Sequence, residues 1–159
     1  MSVQHNKFAI VVSDFNSAIT EKLLEGACQE LKEQGVKQDH ITIIHVPGAV
    51  EVPLAAQLLA KKKIYSAIIC LSAVIRGETS HYDYVCQQIS HGCQQVMLQF
   101  DVPVIFGVLT TDNFIQAEER VGGHYGHKGR EAAETAIKMV RVVDEIMQTD
   151  SCMPRTMSL

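Results

Sequence analysis

The stretch Ala67-Ile68-Ile69-Cys70-Leu71-Ser72-Ala73-Val74-Ile75-Arg76-Gly77-Glu78-Thr79-Ser80-His81 decides the reading of the fold. From Ala67 to Val74 it is an apolar, β-branched run of strand length, of the kind buried on both faces of a parallel sheet. It then changes at once into a guanidinium, a glycine, two hydroxyls and an imidazole. Ligands of open parallel sheets sit outside the carboxyl ends of the strands. The segment from Ile75 to His81 therefore marks an edge where a site is expected.

Working outward, the same kind of run recurs at Phe8 to Ser13, Ile41 to Val46 and Val104 to Thr110, and all are read as strands buried on both faces. Between them, Ile19, Leu23, Leu24, Ala27 and Leu31 repeat at three and four, which predicts an amphipathic helix ending near Gly35. A second helix is predicted from about Val52 to Lys62, with Pro53 in its first turn. A third carries Val85, Ile89, Cys93 and Val96 on one stripe. Asn113 is suited to cap a short helix reaching about Val121, and a glycine-rich turn, Gly122 to Gly129, leads into a last helix ending near Met147. Alternation of this type predicts a single three-layer α/β/α domain, flavodoxin-like, with a four-stranded parallel sheet. Residues 1–7 read as a flexible N-terminal arm, 8–150 as the domain and 151–159 as a flexible C-terminal tail.

Composition narrows the function. With 159 residues and 47% apolar content, the chain can build one core of ordinary size. A net charge of −4, with basic residues dispersed apart from Lys61-Lys62-Lys63, argues against nucleic acid as a partner. No apolar run approaches the length that spans a bilayer, and Met1 to Lys7 lacks the apolar core of a signal peptide, so a cytoplasmic protein without membrane association is expected. The cysteines, Cys28, Cys70, Cys86, Cys93 and Cys152, form no Cys-x-x-Cys pair and read as reduced, mainly core residues. No metal site is expected: His124 and His127 lie three apart, but no carboxylate or thiolate completes a usual ligand set around them.

Four strand ends supply the candidate chemistry. Phe15, after the first strand, suits either a stacking platform for a planar ring or a plug turned into the core. Glu51 opens a helix behind the turn Pro47-Gly48, where the helix dipole favours a carboxylate and simple capping would explain it. Gly77-Glu78-Thr79 leads into a helix whose free N–H groups can hold a phosphate. His81 brings an imidazole, the side chain that moves protons in both directions near neutral pH. Gly122 to Gly129 lacks the spacing of a Walker loop, yet Arg120 and Lys128 flank or enter it as a fork and a point charge for anions.

Taken together, Phe15-Asn16, the block Val46 to Pro53, the block Ala73 to Val85, Pro103 to Thr111, Gln116-Ala117, Arg120 and Lys128-Gly129 resemble the lumazine synthase family, over about Phe8 to Met147. The resemblance implies condensation of 5-amino-6-ribitylamino-2,4(1H,3H)-pyrimidinedione with 3,4-dihydroxy-2-butanone 4-phosphate to 6,7-dimethyl-8-ribityllumazine, with no cofactor or metal. It implies that Phe15 stacks on the pyrimidine with Asn16 beside it in the substrate-binding set, and that Ala49, Val50 and Glu51 with Ala73, Val74 and Ile75 hold the pyrimidine and its ribityl chain. Glu78, Thr79 and Arg120 would bind the phosphate, His81 would transfer protons, and Phe106 and Lys128 would come from a neighbouring subunit. It further implies a homopentamer, with an icosahedral 60-mer favoured by the short turn between Arg120 and Lys128, and riboflavin synthase as a candidate partner. Val50, Asp14 and His127 depart from the aromatic, arginine and asparagine that are usual in the family. The competing reading is a non-catalytic flavin-binding or container protein on the same fold. Receiver and flavodoxin modules fit less well: Asp14 lacks an acidic neighbour, and Asp14 to Thr20 contains no glycine.

Overall fold

The computed structural model describes residues 3–149. The tail expected at 151–159 and the first two residues of the expected arm lie outside the described residues. The elements run β1 (Phe8–Ser13), α1 (Ser17–Glu33), β2 (Ile41–Val46), α2 (Val52–Lys61), β3 (Ala67–Ile75), α3 (His81–Phe100) and β4 (Val104–Thr111). A short α4 (Phe114–Glu118), a small hairpin of β5 (Val121–Gly123) and β6 (Gly126–His127), and a long α5 (Lys128–Thr149) follow.

The four long strands form a parallel sheet in the order β2-β1-β3-β4. Alternation along each strand sends side chains to two cores. Phe8, Ile10, Val12, Ile69 and Leu71 pack with α1 and α5, while Ala9, Val11, Ile68, Cys70 and Val74 pack with α2 and α3. Each fully buried Ile, Leu or Phe among them contributes about 1.5–3 kcal/mol through removal from water. Three layers follow, with all four strands ending on one side.

Only β1 and β3 are buried throughout in the way the apolar runs predict. β2 and β4 are the edges of the sheet, so each keeps exposed positions: Ile44 and His45 on β2, Phe106 and Thr110 on β4. Edge position, which an apolar run does not reveal, corrects that expectation and leaves Phe106 45% exposed.

Local signals work as chemistry requires. Gly35, at φ 92°, lets the Val36 N–H return to the Leu31 carbonyl at 2.9 Å and close α1. Pro53 sits in the first turn of α2. Asn113 caps α4 by accepting from the Gln116 N–H at 2.9 Å, but that helix stops at Glu118 rather than near Val121. The chain from Val121 instead pairs with His127 as a hairpin, turned by Gly122 and Gly126 at positive φ. Strands of two and three residues leave no period in a sequence, so the glycine-rich segment read only as a turn.

At the N-terminal side, Val3–His5 makes a single 3-10 turn. The Ser66 N–H then donates to the Lys7 carbonyl at 2.8 Å and the Ser66 hydroxyl to Asn6 Oδ1 at 3.3 Å.

Candidate active site

Each strand end hands its loop to the same edge. After β1, the Asp14 N–H donates to the Val46 carbonyl at 2.8 Å and the Phe15 N–H to the Pro47 carbonyl at 3.0 Å, so the loop stays paired to its neighbour beyond the strand. Asn16 then adopts the left-handed conformation, φ 60°, which asparagine tolerates. Its side-chain amide donates to the Ala73 carbonyl at 2.8 Å, fastening this loop to the end of β3. The Asn16 amide N–H2 is thus engaged by the protein, and the Phe15 ring is thrown outward, 72% exposed. A core plug is excluded by that exposure.

After β2, Ala49–Glu51 forms a 3-10 turn ahead of α2. Glu51 makes no side-chain capping bond to that helix. Its carboxylate lies over Gly48 instead, where a Cβ would come within 3.0 Å of Oε2. A capping hydrogen bond therefore does not account for the carboxylate. Val50 is partly exposed beside it.

After β3, Arg76 braces the edge. Its Nε lies 3.0 Å from Asp112 Oδ1, Nη1 lies 3.5 Å from Asp83 Oδ1, and the guanidinium stacks 4.2 Å from the Tyr82 ring centroid. These contacts join the β3 loop to the β4 loop and to the first turn of α3. The next residues, Gly77 to Thr79, reach His81, whose backbone N–H donates to Thr79 Oγ1 at 3.3 Å. Glu78 and His81 are exposed in this segment.

These parts enclose a cavity of about 570 Å3 with Phe15, Asn16, Ala49, Val50, Glu51, Ala73, Val74, Ile75, Thr79 and His81 in its walls. Tyr82, Val85 and Gln88 complete it from α3. Sequence reasoning missed these last three as site residues. Val85 and Gln88 stand four and seven positions after His81, and that helical spacing was the available signal.

Arg120, Phe106 and Lys128 gather elsewhere. They line a separate cavity of about 510 Å3 along β4 and the start of α5, together with Thr110, Glu131 and Thr135. Arg120 is held by donation from Nη1 to the Gln116 carbonyl at 2.8 Å and by stacking 4.6 Å from the Tyr125 centroid. Lys128 Nζ lies 2.7 Å from Glu131 Oε2. The Lys128 N–H donates to the Arg120 carbonyl at 2.8 Å, so the two cations share one backbone link. Among the described residues, none lines both cavities. The grouping of Arg120 with Glu78 and Thr79 expected from the sequence is thus not what one chain brings together.

Other groups stand back from this chemistry. Cys70 and Cys93 are buried against each other, and the hydrogen bond that the Cys70 thiol donates to Cys93, together with burial, raises the Cys70 thiol well above its usual range. A protonated, enclosed thiol is a poor nucleophile. Asp14 pairs with His45, Oδ1 to Nδ1 at 2.8 Å, on the sheet's outer edge. Among the described residues, no cluster of three His, Cys, Asp or Glu side chains forms a metal site, and no helix is long and apolar enough to cross a membrane.

Comparison with known proteins identifies what this chain is similar to. The family model described as 6,7-dimethyl-8-ribityllumazine synthase matches residues 5–144. Proteins named 6,7-dimethyl-8-ribityllumazine synthase from Coxiella burnetii, strains CbuG_Q212 and RSA 493 / Nine Mile phase I, are each 58% identical over 144 residues, covering 91% of this chain and 95% of theirs. The protein of the same name from strain Dugway 5J108-111 matches to the same extent.

Proposed function

From the premise that this chain belongs to the 6,7-dimethyl-8-ribityllumazine synthase family, we infer that it serves riboflavin biosynthesis as a transferase. It condenses 5-amino-6-ribitylamino-2,4(1H,3H)-pyrimidinedione with 3,4-dihydroxy-2-butanone 4-phosphate and releases phosphate and water. The observation that carries the residue-level reading is the pair of complementary cavities: one holds an exposed aromatic ring, backbone and an imidazole, the other two cations.

In this reading Phe15 stacks on the pyrimidine, while Ala49 to Glu51 and the ends of Ala73 to Ile75 receive its polar edge and ribityl chain. The N–H groups around Glu78 and Thr79 face the phosphate, and Arg120 and Lys128 supply its counter-charge. The amine condenses with the ketone to give an imine and one water, phosphate leaves, the remaining carbonyl closes on the ribitylamino nitrogen, and a second water departs. Each step moves a proton, which suits His81 at the cavity wall. Holding both substrates in register can supply about 7–11 kcal/mol of the barrier, so orientation outweighs the histidine.

One active site needs both cavities, and they share no wall. A second copy of the chain would therefore bring Phe106, Lys128 and also Arg120 to the Phe15 cavity, which extends the expected subunit exchange to the arginine. Exposed Leu54 and Leu58 on α2 and Leu98 on α3 offer apolar surface for such an assembly. A homopentamer, and a 60-mer built from it, is the proposed form, with riboflavin synthase as a candidate partner. A cytoplasmic location fits the free thiols of Cys28, Cys70, Cys86 and Cys93.

The test mixes purified protein with both substrates and follows the lumazine chromophore and phosphate release, omitting each substrate in turn. Both products, only with both substrates, are expected. Folded protein that makes neither would move the flavin-binding or container reading ahead.

A further inference from the structure

We propose that His127 is a positioning residue for the cationic cavity: its ring is wedged between α1 and the start of α5 and fixes where Lys128 and Arg120 stand. The proposal rests on the synthase reading above for what that cavity binds. His127 ends β6 immediately before Lys128. Its Nδ1 accepts a long hydrogen bond from the Arg130 N–H, 3.4 Å, the relation in which a residue caps the helix it precedes. Packing does more than that bond. A Cβ on Gly26 of α1 would fall 2.1 Å from His127 Cε1 and within 2.7 Å of both ring nitrogens. A Cβ on Gly129 of α5 would fall 2.2 Å from the Leu23 carbonyl oxygen. Two facing glycines thus let α1 and α5 close to a distance at which the imidazole fills the remaining gap.

The other side of the ring's own backbone leads into the site. Val121 pairs with His127 across the hairpin, and the Lys128 N–H holds the Arg120 carbonyl. A shift of the ring is consequently passed to both cations. The charged groups facing the ring are Arg130 and Glu131 on α5 and Glu25 on α1. Arg130 is itself tied back to α1, 2.8 Å from Glu30 Oε2 and in contact with Glu33. Burial, then the Arg130 charge, hold the His127 pKa below its ordinary 6.5, which keeps the ring neutral and Nδ1 free to accept.

The experiment compares full-length wild type with His127→Ala, His127→Asn, Gly26→Ala and the Gly26→Ala/His127→Ala pair, by steady-state kinetics and by calorimetric titration with inorganic phosphate. His127→Ala is expected to raise KM for the phosphorylated ketone and Kd for phosphate about five- to tenfold, with KM for the pyrimidine within about twofold. Asparagine, a strong capping acceptor, should bring both back to within about threefold of wild type. Gly26→Ala should expel the ring and reproduce the His127→Ala pattern, and the pair should be no worse than either alone. Equal changes in both KM values, or an asparagine variant as impaired as alanine, would overturn the positioning role, as would phosphate affinity indifferent to His127. Wild type that binds phosphate in a His127-dependent manner yet makes no lumazine would keep this role and refute the synthase reading instead.

Discussion

The cavity around Phe15 and His81 and the cavity along β4, which the proposed function joins in one reaction, are built by opposite means. In the first, the walls carry an exposed ring, strand-end backbone, a hydroxyl and the Glu51 carboxylate, while Arg76 is held by Asp83 and Asp112 and Asp14 by His45. In the second, recognition comes from Arg120 and Lys128, each steadied by a protein acceptor but with donors to spare. Guanidinium has five N–H donors and ammonium three, so one contact each leaves a phosphate well served. On the proposed function, the difference means that a neutral, planar substrate and an anionic one are handled by separate pieces of the fold, with the chemistry where the pieces meet.

The comparison predicts the largest effect at the charged cavity. Arg120→Ala should lower kcat/KM for the butanone phosphate by about a hundredfold or more, close to 3 kcal/mol, with a much smaller change in KM for the pyrimidine. Phe15→Ala should do the reverse, raising the pyrimidine KM about tenfold. Mixing the two variants after dissociation and reassembly should recover turnover, because some interfaces then join two intact halves. Equal effects on both substrates, or no recovery on mixing, would break the division.

His81→Ala tests which half carries the proton chemistry. A fall in kcat of about a hundredfold, at the low end for general acid–base catalysis, is expected in single-turnover measurements. Complete loss of turnover in a folded variant would show that orientation contributes less than argued, and an unchanged rate would remove His81 from the mechanism.

The smallest effect concerns stability and sharpens the view of the charged half. His127 binds its proton less readily folded than unfolded, so the unfolded state takes up more protons once the pH drops below about 6.5, and stability falls with it. The half-buried ring keeps some contact with water, which limits the size. Between pH 7.5 and 5.5, Tm of wild type should fall by about 1–2 °C more than that of His127→Asn. Identical pH dependence in the two proteins would remove His127 as a source of acid sensitivity.

Much of this was legible in the chain. The abrupt change at Ile75 marked the ligand edge, and Phe15, Glu51, Thr79 and His81 do share one cavity there. What stayed hidden was partnership. Asn16 lines that cavity, but that its amide N–H2 is held by the carbonyl of Ala73 is visible only in the fold, as is the pairing of the Arg76 guanidinium with two aspartates. Arg120 reads as a partner of Thr79 because both suit phosphate, yet its backbone belongs to the hairpin that carries Lys128.

By itself, then, the sequence determined the alternation of strand and helix, the end of the sheet at which ligands gather and the residue types present there. These follow from local periodicity and from where an apolar run must stop for polar groups to reach water. The tertiary structure alone decided which strands are edges, which charged groups remain uncommitted and which of them share a cavity. Those outcomes depend on contacts between residues far apart in the chain, such as Asn16 with Ala73 and His127 with Gly26. A hydrogen-bonding group is available to a substrate only when no such neighbour has already taken it, and the neighbour is known only once the chain has packed.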